Sequence, residues 1–130
     1  MQVIFYKWCQ YLKMKDVTKF LSLYSSNCHI VSDIKNNHKN TVLVPNYHEP
    51  YQKTRVGILK TFEDILFSPH RRFELDEINV EYCRKNNVIH GDCDFIYSGE
   101  KIKTRHTMFL TKEKNEDLIS FHYTDFQKTK

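Results

Sequence analysis

Apolar residues recur at two spacings along this chain, and the place where the spacing changes divides it in two. Ile4, Trp8, Tyr11 and Leu12 repeat at helical intervals, which predicts an amphipathic helix over the first dozen residues. Asp16 is a suitable N-cap for a second, short helix in which Val17, Phe20, Leu21 and Tyr24 fall at i, i+3, i+4 and i+7. Ser25-Ser26-Asn27 stops it, and Cys28 to Val31 then reads as a short strand. Residues 33–53, rich in Asn, Lys and His, predict a mobile loop or flap with a candidate strand at Thr41 to Val44 ending at Pro45. A third helix runs from about Thr54 to Phe67 on a stripe of Ile58, Phe62, Ile65 and Leu66, and Ser68-Pro69 ends it.

From Arg71 onward the period is two. Phe73 and Leu75 alternate, then Ile78, Val80 and Tyr82 alternate out of phase, which predicts a bulge near Asp76-Glu77. Three further strands, about Val88 to Tyr97, Lys101 to Thr111 and Leu118 to Phe126, are joined by short polar turns, so an antiparallel meander is expected. Helices first and a curved sheet afterwards make an α+β domain in which the sheet wraps around the helices. If the apolar parity of each strand faces inward, the concave side carries Cys93, Phe95 and Tyr97, then Thr104, His106 and Met108, then Phe121, Tyr123 and Asp125. Pairing Tyr97 with Ile102 and Leu110 with Ile119 sets Cys93, His106 and Tyr123 in one row, with Asp125 diagonal to His106. His90, Asp92, Asp94, Arg105, Thr107, Ser120, His122 and Thr124 then belong to the outer face.

The length of 130 residues suits one domain with a single core, and 40% hydrophobic with 28% charged residues is a globular composition. The net charge of +4 is spread without a basic tract, so nucleic-acid binding is not expected. No apolar stretch approaches the roughly 20 residues of a membrane span, and the first dozen residues lack signal-peptide features, so the expected location is cytoplasmic, away from membranes. Cys9, Cys28, Cys83 and Cys93 show no CxxC spacing and HExxH is absent, so free thiols and no metal site are expected. No dinucleotide fingerprint is present either, and no cofactor is expected.

His106 is the sharpest chemical candidate. An imidazole on the concave floor, oriented by Tyr123 or Asp125, has the pKa range of a general base; the competing reading is a satisfied core histidine. Asp125 is a candidate acid or base if Phe95 and Phe121 raise its pKa, and a solvated residue otherwise. Tyr123, Tyr97 and Tyr11 are candidate hydrogen-bond donors to a ligand, or core fillers. Trp8 and Phe62 would roof such a pocket, and Cys93 and Met108 would line it.

Four stretches together resemble the nuclear transport factor 2-like superfamily, in particular its SnoaL-like branch near the association domain of calcium/calmodulin-dependent protein kinase II. They are the N-terminal "W…YL…D…FLSLYSSNCHIVS", "TRVGILKTFEDIL", "GDCDFIYSG" and the final "TRHTMFLTKEKNEDLISFHYTDF". The resemblance implies a cone-shaped α+β barrel with a pocket between helices and concave sheet, commonly dimeric through the outer sheet face. The ketosteroid isomerases among such relatives use an aspartate base. The sequence departs from the pattern where a tryptophan usually opens the last strand, here Leu118, and where the kinase-associated relatives carry pocket arginines. The expectation is a protein binding a small apolar or amphipathic molecule, catalysing cofactor-free isomerisation, dehydration or cyclisation if it is an enzyme. The alternative is a homo-oligomerisation or protein-interaction module.

Overall fold

The computed structural model describes residues 2–34, 51–67, 74–97 and 100–128. Helix α1 (Gln2–Met14) buries Ile4, Phe5, Trp8, Cys9 and Leu12 along one stripe. Asp16 caps α2 (Val17–Ser22), its carboxylate accepting from the Lys19 amide at 3.2 Å. This helix ends earlier than its periodicity predicts: Leu23 is the C-cap, and Tyr24 already opens β1 (Tyr24–Ile34). The Tyr24 carbonyl accepts both Nε and Nη2 of Arg55, at 2.9 and 2.7 Å, which ties this corner to α3 (Thr54–Leu66). β2 (Tyr51–Lys53) precedes α3. The candidate strand at Thr41 to Val44 and most of the expected flap lie outside the described residues.

The second half is the meander its alternation predicts: β3 (Glu74–Cys83), β4 (Val88–Tyr97), β5 (Glu100–Glu113) and β6 (Glu116–Lys128), each antiparallel to the next. The β3 bulge is present, with a register shift between Asp76 and Asn79 and Glu77 at φ 50°. Lys114 and Asn115, at φ 51° and 66°, form the two-residue turn between β5 and β6, whose two positive φ values match the twist of the strands. β1 lies parallel on the far side of β6, giving a curved, unclosed six-stranded sheet of order β2-β1-β6-β5-β4-β3. Phe5, Trp8, Leu12, Phe20 and Phe62 from the helices share one core with Phe95, Met108 and Ile119 from the sheet. The fold is α+β, as expected.

Two details of register depart from expectation. Tyr97 stands opposite Glu100, so the β4–β5 pairing slides by two residues: His106 faces Gly91, and Cys93 faces Thr104. On β6, Leu110 does face Ile119, but Ser120 is an extra residue. Its Oγ donates to the Phe109 carbonyl at 3.0 Å, and every later β6 side chain is turned to the opposite face. His122 and Thr124 therefore point inward and are fully buried. Phe121, Tyr123 and Asp125 pair with Phe109, Thr107 and Arg105 on the convex side.

Gly91 fixes how α1 lies on the sheet. A Cβ there would stand 2.7 Å from the Phe5 ring, so only glycine admits this close approach.

Candidate functional site

A chain of hydrogen bonds crosses the dry interior from α1 to β4. The Trp8 indole Nε1 donates to the Tyr24 hydroxyl at 3.0 Å, and that hydroxyl lies 2.7 Å from His122 Nδ1. His122 Nε2 is 2.9 Å from His106 Nδ1, and His106 Nε2 is 2.9 Å from Thr104 Oγ1. Thr104 donates to the Cys93 carbonyl at 2.9 Å. Indole can only donate and a carbonyl can only accept, so one ordering of protons satisfies every link. Tyr24 donates to His122, and each histidine carries its proton on Nε2 and passes it along. Both rings are neutral in this ordering, because a second proton would set two N–H groups head to head.

For His122 the surroundings enforce that state. Burial, with the neighbouring His106 second, pushes the His122 pKa well below its usual value, and burial raises the Tyr24 phenol. Trp8 lies with its ring 4.6 Å from His106, stacked on Phe5 at 5.9 Å and edge-on to Phe62 at 5.7 Å.

The bulge thus changes the company of His106. Tyr123 and Asp125, expected beside it, stand on the convex side; Asp125 is nevertheless only 6% exposed. Phe121 is likewise removed from the interior, with its ring edge-on to Phe109 at 5.8 Å. The inward neighbours are His122 and Tyr24, which periodicity had assigned to the outer face and to a helix. No periodic signal marks His122, because the even positions turn inward only after the extra residue Ser120. Trp8, Phe62, Cys93, Phe95 and Met108 do meet around His106 on the concave side, but as a filled core. None is more than 1% exposed and the two histidines are no more than 3% exposed, so these side chains fill the space around His106 themselves. Tyr11 sits at the margin, half-buried, with the Lys19 ammonium 5.9 Å over its ring. The side chain of Tyr97 lies outside the described residues.

The convex face carries cross-strand rows of mixed charge, Asn79-Asp92-Arg105-Asp125 and Glu81-His90-Thr107-Tyr123. They border an open depression of about 390 Å³. Phe109, 43% exposed, lies two residues along β5 from Thr107 on the same face. Among the described residues no group of three or more metal-ligating side chains could hold an ion, and no helix is long and apolar enough to cross a membrane.

No family model matches the sequence, and the curated proteins contain no significant match. Solved structures do match. A protein from Kribbella flavida provisionally described as a ketosteroid isomerase aligns over 98% of this chain and 78% of its own, at TM-score 0.63 and 7% identity. An NTF2-like protein of unknown function from Pseudomonas putida aligns over 95% and 82%, at TM-score 0.63 and 10% identity. The chain has the nuclear transport factor 2-like fold. A Novosphingobium aromaticivorans protein, provisionally described as a scytalone dehydratase, shares this NTF2-like fold over 99% of this chain and 81% of its own, at TM-score 0.58 and 12% identity. At such identities the likeness concerns the fold and not the chemistry.

Proposed function

We propose that this NTF2-like chain works as an association module, pairing with a second copy through the convex face of its sheet. One observation carries the reading: the interior where this fold could hold a ligand is filled by its own side chains, with Trp8, Phe62 and His122 fully buried. The convex face offers what the interior does not. Phe109 and Phe121 give it an apolar centre, flanked by rows in which acid and base alternate, Asp92, Arg105 and Asp125. A two-fold axis across such a row brings Arg105 of one copy against an aspartate of the other, so the surface can be self-complementary. Light scattering across a concentration series is the test. The native protein gives the mass of two chains, and Phe109→Glu gives the mass of one. A native mass of one chain at every concentration overturns the reading.

The hydrogen-bond chain favours a second reading, a protein that binds a small apolar or amphipathic molecule and moves a proton on it without a cofactor. Buried polar groups are costly, and a linked set of them beside a neutral histidine pair is the arrangement proton transfer requires. The relatives described as an isomerase and a dehydratase are consistent with that class. His106 would act as the base, with His122 and Tyr24 behind it, once Phe5 and Trp8 withdraw. A metabolite panel tests it: a compound that raises the melting temperature of the native protein and leaves His106→Ala unmoved supports it. No response from any compound counts against it.

A further inference from the structure

A groove of about 500 Å³ runs between α1 and the start of β6, and it shares no lining residue with the convex depression. One wall is helical: Val3, Lys7 and Tyr11 stand at i, i+4 and i+8 along one side of α1. The other wall is Glu116, Asp117 and Leu118, the first residues of β6 after the Lys114-Asn115 turn. Leu23 lies between them, and its carbonyl accepts the Ile119 amide at 2.8 Å, which fixes the end of α2 to the start of β6.

The chemistry of the two walls differs. The apolar surface is shared, since Ile4, Leu23 and Leu118 are buried residues that keep 8%, 9% and 9% exposure where they line the groove, and Val3 at its lip keeps 57%. Positive charge lies on the helix side only. Lys7 is one helical turn from Tyr11, and the Lys19 ammonium stands 5.9 Å over the Tyr11 ring. Negative charge lies on the strand side, at Glu116 and Asp117. Among the described residues Lys7 forms no ion pair with either acid.

We propose that this groove binds a short apolar peptide with free ends, of dipeptide size, its ammonium at Glu116 and Asp117 and its carboxylate at Lys7. A molecule complementary to these walls carries an anion and a cation at opposite ends and apolar groups between them. A free amino acid holds both charges on one carbon and meets only one wall. One further residue separates the ends by another 3.8 Å or so of backbone, which lets each reach its own side. The volume also lies within the range of roughly 300–1,000 Å³ typical of small-ligand sites. The apolar side chains of such a peptide rest on Val3, Ile4 and Leu118.

Titration of the full chain with leucyl-leucine, followed by amide NMR, tests the site. Saturable shifts are expected at Val3, Lys7, Leu23 and Leu118 at millimolar concentrations or below. Acetylating the peptide's amine or amidating its carboxylate should each weaken binding roughly tenfold. The variants separate the two ends. Lys7→Gln should bind the free and amidated peptides equally, and Glu116→Gln with Asp117→Asn should bind the free and acetylated peptides equally. These positions lie at the surface, so an unchanged melting temperature shows that each variant is folded. No saturable shift at millimolar peptide, shifts centred elsewhere in the chain, equal binding of the blocked peptides by the native protein, or variants that still discriminate between them would each overturn the proposal.

Discussion

His122 Nε2 lies 2.9 Å from His106 Nδ1, two neutral imidazoles joined in the interior of the sheet. The native protein holds His122 unprotonated below the pH at which an unfolded histidine takes up its proton. With the folded pKa lowered, stability is at its full value above the unfolded pKa of about 6.5 and declines as pH falls below it toward the folded value. The unfolding free energy should drop by up to about 1.4 kcal/mol per pH unit from this one group as the pH falls below about 6.5. Urea titrations at stepped pH check it, and His122→Asn should flatten the slope.

Tyr24 is the link that serves both Trp8 and His122. Tyr24→Phe keeps the ring but orphans an indole N–H and an imidazole nitrogen in a dry interior, at a cost of about 2–4 kcal/mol. Tyr82→Phe is the control. Its hydroxyl bonds Asn87 at 2.7 Å in a half-buried setting, and its loss should cost about 1 kcal/mol. Equal effects in the two variants would mean that the buried chain contributes no more than a surface bond.

Gly91→Ala forces a methyl group into the Phe5 ring. A loss of about 1–3 kcal/mol is expected from overpacking, and a second substitution, Phe5→Leu, should recover part of it. Additive losses in the double variant would contradict the contact.

The Lys114-Asn115 turn carries two residues at positive φ where asparagine followed by glycine is the better choice. Replacing the pair by Asn-Gly should raise stability by about 0.5–1 kcal/mol without changing the fold, read from the shift in the denaturation midpoint.

Much of the fold was legible because its elements announce themselves locally. Ile4, Trp8 and Leu12 mark a helix, the phase break at Asp76-Glu77 marks a bulge, and short polar segments mark the hairpins. The site was less legible because its decisive step is a second bulge without a periodic signature. Ile119, Phe121 and Tyr123 form a faultless apolar parity, and Ser120 silently reverses it. Parity reasoning assumes that the buried face is the apolar one. Here the inward side chains after Ser120 are His122 and Thr124, and burying them is affordable only through hydrogen-bonded partners that lie far off in the sequence.

That remoteness governs how the molecule can be made. Tyr24 and His122 are 98 positions apart, and β1 joins the β3–β6 meander beside β6, the last of the described strands to be synthesised. During translation α1 must wait, with its aromatic stripe uncovered, until β6 has left the ribosome. Slow, late-closing folding is the outcome such connectivity imposes.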